Sequence, residues 1–183
     1  MKINKKQEVN LWIKAIAISL GVSIILRGIL FTPSLVQGES MMPTLESDER
    51  VIVNKIAYHI QGLKRFDIII FHGKEGYDLI KRVIGLPGDT IEYKNDKLYV
   101  NGIVVDEPYL ENYKAQLSKG NLTPDFTLEQ KTGKTKVPEG QVFVLGDNRP
   151  VSKDSRILGF VSENQIVGKG KVVYWPLGHV RVL

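Results

Sequence analysis

Ser40 stands in the run Gly38-Glu39-Ser40-Met41-Met42-Pro43-Thr44-Leu45, and Lys81 stands in the apolar run Leu79-Ile80-Lys81-Arg82-Val83-Ile84. A serine hydroxyl attacks an amide only if something accepts its proton. The chain has no cysteine, and its three histidines, His59, His72 and His179, are scattered without paired spacing. That makes a lysine a candidate base. An exposed lysine, with a pKa of about 10.4, is protonated at neutral pH and cannot serve. Burial among apolar groups penalises the charged form and lowers the pKa. Period-two alternation sends Leu79, Lys81 and Val83 to one strand face and Ile80, Arg82 and Ile84 to the other. Lys81 then has apolar neighbours, while Arg82 keeps its charge in any setting. Each residue alone also has a plainer reading, Ser40 as a turn or cap serine and Lys81 as a solubilising residue on an edge strand. These two residues by themselves leave both readings open.

The elements around them are strands and turns. Val51-Ile52-Val53, Phe66 to Phe71 and the Lys81 segment read as strands, punctuated by Gly62, Gly73 and Gly76. Leu86-Pro87-Gly88-Asp89 is a turn, since proline presets φ at its second position and glycine accepts positive φ at its third. Thr90 to Tyr93, Lys97 to Val100 and Ile103 to Val105 form a meander with hairpin turns at Asn95-Asp96 and Asn101-Gly102. Strands are also expected at Gln141 to Leu145 and Lys169 to Trp175, with a polar loop from Gly146 to Arg156 between them. The fold class is mostly β, an antiparallel sheet. Residues 106–136, with Pro108, Pro124, Gly120 and Gly133 among scattered polar groups, read as an inserted excursion. Lys131-Thr132-Gly133 matches one box of the serine β-lactamases, but no serine is followed three residues later by lysine, as their first box requires.

The net charge of +5 is unevenly spread. Lys2, Lys5, Lys6, Lys14 and Arg27 against Glu8 place all but one unit of it in the first 31 residues, so the remainder shows no nucleic-acid footprint. Leu11 to Phe31 is a long apolar run, with Lys14 and Arg27 toward its ends and Trp12 at the near interface. As a helix it would rise about 32 Å, close to a bilayer's hydrocarbon thickness. It is therefore expected to be an uncleaved transmembrane anchor at 11–31. The preceding basic segment, 1–10, would be cytoplasmic and residues 32–183 extracytoplasmic, giving a single-pass cell-membrane protein in contact with the phospholipid bilayer. Without cysteine, disulfide scaffolds, thiol nucleophiles and cysteine-ligated metals are excluded. Asp89, Asp147 and Asp154 read as loop caps and partners for Arg149 and Arg156 rather than a cation site. Met41, Met42, Pro43, Leu45, Phe66 and Phe71 are candidates for a substrate pocket or an apolar rim, with core packing the alternative.

Three motifs together add a resemblance. Gly38-x-Ser40-Met41-x-Pro43-Thr44, Lys81-Arg82-Val83-x-Gly85-x-Pro87-Gly88-Asp89 and Gly146-Asp147-Asn148-Arg149-x-x-Ser152-x-Asp154-Ser155-Arg156 stand in the order and spacing of type I signal peptidases. From the anchor to about Trp175 the chain resembles the small single-span enzymes of Gram-positive bacteria. The resemblance implies Ser40 as nucleophile, Lys81 as general base, Ser152 as a hydrogen-bond partner of the lysine, and Asp154 and Arg156 as organisers of the site. It implies no cofactor and no metal. Its substrates would be exported preproteins bound as extended strands, with small residues such as Ala-x-Ala before the cut, met near the secretion machinery. Where Gram-negative members carry a hydroxyl residue two positions before the nucleophile, this chain has Gly38, so the backbone N–H of Ser40 is expected to be the main oxyanion donor. The alternatives are another serine-lysine processing peptidase and a non-catalytic domain that binds exported polypeptides.

Overall fold

Antiparallel pairing builds two sheets, and the long strand β11 (Ile166–Trp175) holds the larger one together. A computed structural model describes residues 5–56, 60–73, 76–117 and 120–183. The first four residues of the basic amino-terminal segment, and His59, lie outside them. The large sheet takes β1 (Phe31–Leu35), β2 (Arg50–Asn54), β3 (Ile68–His72), β4 (Asp78–Gly85), β9 (Gln141–Leu145), β10 (Val161–Ser162), β11 and β12 (Arg181–Val182). Its order is β1-β2-β11-β3-β4-β9-β10, with β12 on β11. The small sheet, ordered β7-β6-β5-β8, takes β5 (Ile91–Lys94), β6 (Lys97–Val100), β7 (Ile103–Val105) and β8 (Phe126–Thr127). The mostly β expectation holds.

Local chemistry explains the turns. Asn95 and Asp96 have φ of 52° and 59°, and Asn101 and Gly102 have 53° and 79°, the left-handed conformations that two-residue hairpins need. In the Leu86 to Asp89 turn, the Asp89 N–H donates to the Leu86 carbonyl and the Leu86 N–H to the Asp89 carboxylate, at 3.0 and 2.7 Å. The excursion at 106–136 contains a 3-10 turn at Pro108–Leu110, α2 (Glu111–Ala115), β8 and α3 (Leu128–Thr132). Thr127 and Gln130 form a capping box on α3, and Lys131-Thr132-Gly133 is simply its carboxyl-terminal end.

The amino-terminal expectation is corrected. Helix α1 runs Lys5–Leu30, Phe31 already belongs to β1, and among the described residues no helix is long and apolar enough to cross a membrane. The physical reason lies in the polar groups along it. Lys5, Lys6, Glu8 and Asn10 occupy the first turns, Ser19 and Ser23 interrupt the middle, and Lys14 and Arg27 bracket only the stretch from Ala15 to Leu26. That stretch rises about 18 Å as a helix against a hydrocarbon core of about 30 Å. The single-pass topology, with a cytoplasmic amino terminus and an outward catalytic domain, falls with the spanning helix. Pro33 biases Thr32 toward extended backbone and sits in β1, the outermost strand of the large sheet, the kind of strand to which proline is largely confined.

Three apolar clusters fill the interior. The first joins Ile84 of β4 and Phe143 and Leu145 of β9 to Ile91, Tyr93, Leu98, Val100 and Phe126 of the small sheet. The second packs Val36, Met41 and Leu45 on Val51, Val53, Ile68, Ile70, Ile80 and Val173. Burying Met41 and Leu45 this fully stabilises the fold by about 1.5–3 kcal/mol each. The third gathers Ile69, Phe71, Val83, Val142, Val144, Val161 and Ile166. Strand β4 is thus interior, flanked by β3 and β9 and covered on both faces from Ile80 onward. The edge-strand reading of Lys81 does not survive this placement.

A buried ion pair ties the excursion to the loop after β9. Arg149 uses all five of its N–H groups, donating to the Gly146 carbonyl (3.1 Å), Tyr93 Oη (2.8 Å), Thr123 Oγ1 (3.0 Å), Glu107 Oε1 (2.6 Å) and Tyr109 Oη (3.1 Å). Both charged side chains are almost completely sealed from water. Truncating one partner of such a pair leaves the other buried and uncompensated, so Glu107→Ala should lower unfolding free energy by about 3–5 kcal/mol, measured by urea denaturation. A loss under about 1 kcal/mol would show that the pair does not tie these segments together.

Candidate active site

Ser40 comes from a turn between β1 and β2. The Met42 N–H donates to the Glu39 carbonyl at 3.1 Å and the Leu45 N–H to the Met41 carbonyl at 2.9 Å, while Met41 and Leu45 anchor the turn in the core. Lys81 comes from the centre of β4, opposite Ile69 of β3. The two meet across 41 positions of sequence, Lys81 Nζ lying 2.8 Å from Ser40 Oγ. Nζ also donates to the Ile80 carbonyl at 2.9 Å. Lys81 is only 2 % exposed. Its burial lowers the amine pKa from 10.5 to about 8, against the opposing pull of Asp154 and Asp147, which favour the charged form. A minor fraction of neutral amine, about a tenth at pH 7 for a pKa of about 8, therefore stands at hydrogen-bond distance from a half-buried hydroxyl.

Those two aspartates are each committed to an arginine. Asp147 takes a bidentate pair from Arg82, Nε to Oδ1 at 2.8 Å and Nη2 to Oδ2 at 2.6 Å, and the Tyr109 ring stacks 3.9 Å from the guanidinium carbon. Asp154 accepts from Nε and Nη2 of Arg156, both at 2.8 Å, and from the Gly146 N–H at 3.0 Å, while capping α4 (Ser155–Leu158). Arg156 Nη2 also donates to the Arg149 carbonyl at 2.7 Å. Of Asp89, Asp147 and Asp154, expected to cap loops and partner Arg149 and Arg156, Asp154 does pair with Arg156, but Arg82 takes Asp147, and Arg149 takes Glu107. Asp89 instead pairs with Arg65 at 3.0 Å.

Ser152 is also placed differently from the expectation. Its Oγ is buried and has no hydrogen-bond partner among the described residues, so the Lys81 amine is held by Ser40 and a strand carbonyl. Ser152 packs so tightly against Gly146 that a β-carbon at 146 would overlap both Ser152 Oγ and the Ser40 carbonyl oxygen. Glycine is required there by close approach. Gly38, with φ of 81°, is exposed and contributes no side-chain donor.

A cleft of about 400 Å³ opens beside the pair, with Ser40, Lys81, Phe71, Leu79, Phe160 and Val161 in its walls. Of the six residues proposed for a pocket or rim, Phe71 lines this cleft. Met41 and Leu45 are core, Phe66 stacks edge-on against Tyr109 at 5.3 Å, and Met42 and Pro43 stand outside the lining. Sequence reasoning missed Phe160 and Val161, which follow the polar loop with no distinguishing pattern, and Ser155, whose Oγ accepts the Val144 N–H at 2.9 Å. It also missed Glu107 and Tyr109. Their placement beside Arg149 depends on a tertiary contact that no spacing announces.

A cation would find little here. Glu46, Glu49 and His179 bring three ligand atoms within 4.8 Å of one another, but the Arg181 guanidinium already binds both Glu49 oxygens, at 2.8 and 2.7 Å. His72 pairs with Asp78 at 2.6 Å on the surface.

Known proteins are similar to this chain over most of its length. Residues 9–175 match the family described as signal peptidase, peptidase S26. A signal peptidase I from Bacillus caldolyticus is 62% identical over 151 residues, covering 82% of this chain and 83% of its own. A signal peptidase IB from Staphylococcus aureus is 43% identical over 181 residues, covering 96% and 94%. A crystal structure of a signal peptidase I from Enterococcus faecalis aligns with a TM-score of 0.56 at 50% identity, over 58% of this chain and 95% of that one. With a serine and a desolvated lysine in contact at a cleft, and the family match running over residues 9–175, the chain belongs to the signal peptidase family, peptidase S26, and is a serine endopeptidase.

Proposed function

We propose that this chain cleaves amino-terminal signal peptides from exported preproteins with a Ser40/Lys81 dyad, through an acyl-enzyme. The observation that carries the reading is the 2.8 Å contact between Ser40 Oγ and an amine whose pKa burial has lowered to about 8. In the first step Oγ attacks the scissile carbonyl as neutral Lys81 Nζ takes its proton. The carbonyl oxygen becomes an oxyanion, stabilised by the Ser40 N–H. The tetrahedral species collapses as Lys81 returns the proton to the leaving amine, breaking the C–N bond and leaving an ester on Ser40. Lys81 then takes a proton from water, whose oxygen attacks that ester. A second collapse returns the proton to Ser40 Oγ and releases the new carboxylic acid, which ionises to the carboxylate by losing its proton to solvent.

The surroundings support the same reading. Phe71, Leu79, Phe160 and Val161 give the cleft an apolar part among polar groups such as Glu39, His72 and Gln165, which suits small side chains of the Ala-x-Ala kind on an extended substrate. Gly146 and Ser152 pack against the Ser40 backbone, and Asp154, paired with Arg156, accepts from the Gly146 N–H. An exported precursor presents its leader as an accessible segment during export, so the encounter would take place beside the secretion machinery.

Ser40→Ala and Lys81→Met should each abolish cutting of a precursor bearing an Ala-x-Ala site, read by intact mass of the products, while the folded domain persists. Processing retained by either variant would sink the dyad. Because the base is the neutral amine, kcat/KM should rise as pH increases through about 8 and then level; a profile flat from pH 6 to 9 would contradict it. The same lowered pKa carries a cost. Between about 8 and 10.5 the unfolded chain binds the proton that the folded chain has lost, so this group's contribution to stability rises with pH across that window and is a penalty of about 3 kcal/mol below it. Lys81→Met should therefore raise the thermal midpoint at pH 7, and a midpoint that falls would show the amine is not desolvated.

A further inference from the structure

Asn148 sits behind the nucleophile and holds the backbone on both sides of it. Its side-chain Nδ2 donates to the Glu39 carbonyl at 3.0 Å, and its backbone N–H donates to the Ser40 carbonyl at 3.1 Å. The peptide groups before and after Ser40 are thus both fixed by one residue, itself 7 % exposed. The amide's orientation follows from its partners. The Glu39 carbonyl can only accept, so Nδ2 must face it, and Oδ1 then faces the Tyr113 hydroxyl, which donates to it at 2.8 Å. Tyr113 belongs to α2, in the excursion between the two sheets' strands.

The Glu39–Ser40 amide matters because its two ends do different things. Its carbonyl is bound by two donors, Asn148 Nδ2 and the Met42 N–H. Its N–H, that of Ser40, finds no acceptor among the described residues and is the donor assigned above to the oxyanion. A peptide group is planar, so fixing the carbonyl fixes the direction of the N–H. Hydrogen bonds to the carbonyl also polarise the amide and make its N–H a better donor. We propose that Asn148, oriented by Tyr113, is the positioning residue of the oxyanion site, acting on the Ser40 N–H through the Glu39 carbonyl. The inference rests on the serine-lysine reading and gives the excursion a role in catalysis, since α2 supplies the group that satisfies the far end of the Asn148 amide.

The test is steady-state cleavage of an Ala-x-Ala precursor by Asn148→Ala, Asn148→Asp and Tyr113→Phe, together with binding of a peptide aldehyde ending in Ala-x-Ala. Ser40 adds reversibly to the aldehyde, and the oxygen of the resulting hemiacetal occupies the oxyanion site. Asn148→Asp is nearly isosteric and keeps the acceptor for Tyr113 but loses the donor, so both Asn148 variants should lose about ten- to fifty-fold in kcat, with KM within about two-fold. Aldehyde affinity should fall by the same factor. Tyr113→Phe should lose about three- to five-fold, and nothing further in an Asn148→Ala background, because the two groups act in series. Unchanged kcat, a loss confined to KM, or an undiminished aldehyde affinity would overturn the proposal. If Asn148→Ala does not fold, Tyr113→Phe and Asn148→Asp decide by the same readouts. Ser40→Ala in parallel separates the two levels: if it stays active the dyad itself fails, whereas an inactive Ser40→Ala beside a normal Asn148→Asp removes only the role of Asn148.

Discussion

A lysine can act as a base near neutral pH only where water is kept from it, and most of this architecture bears on that exclusion. Lys81 lies in the middle of the large sheet, on a strand with neighbours on both sides and apolar layers on both faces. One face is closed by the cluster of Ile69, Phe71 and Val83, and beyond the bulge near Gly85 the small sheet closes the other end of the strand. The turn carrying Ser40 is itself part of the seal, since Met41 and Leu45 fill the cluster beneath it. Ser40 and Lys81 are brought together by the same burial that lowers the amine's pKa.

Desolvation alone would leave an amine exposed to whatever charges lie nearby. Two carboxylates are close enough to oppose the lowering of its pKa, and each is held by an arginine in a two-point pair. The loop from Gly146 to Arg156 is in effect a folded chain of such contacts: Arg149 on Gly146, Arg156 on Arg149 and Asp154, Asp154 on Gly146. Arg149 extends the chain into the excursion through Glu107 and into the small sheet through Tyr93, so the small sheet and the loop from Gly146 to Arg156 share one polar network. Such a network is costly if half-made and specifies a single arrangement when complete.

Much of this was legible in the residues. The hairpins announced themselves through Asn95-Asp96 and Asn101-Gly102, and the strands through their alternation, because both signals are local. The pairing of Ser40 with Lys81 required the three motifs together, since neither residue is unusual by itself. What could not be read was which strand lay inside. A run such as Leu79 to Ile84 alternates in type, yet Arg82 sits buried behind Lys81 because Asp147, 65 positions away, neutralises it. The first helix failed for the opposite reason: apolar content over the whole run was high, but Lys14, Ser19, Ser23 and Arg27 divide it too finely. The partners of Arg149 were illegible because Glu107 and Thr123 lie in a segment whose course no periodicity describes.

The arginine clamps have one more consequence. Counterions weaken interactions between exposed charges over a Debye length of about 8 Å at physiological ionic strength, but they reach buried pairs poorly. Arg82, Asp147 and Asp154 are all sealed from solvent, and Lys81 with them. The electrostatic setting of Lys81 is therefore internal to the protein, much the same in dilute buffer and in concentrated salt. Under the proposed dyad, the chemical step would answer to protons far more than to ionic strength, and salt dependence in turnover would belong to the encounter with substrate.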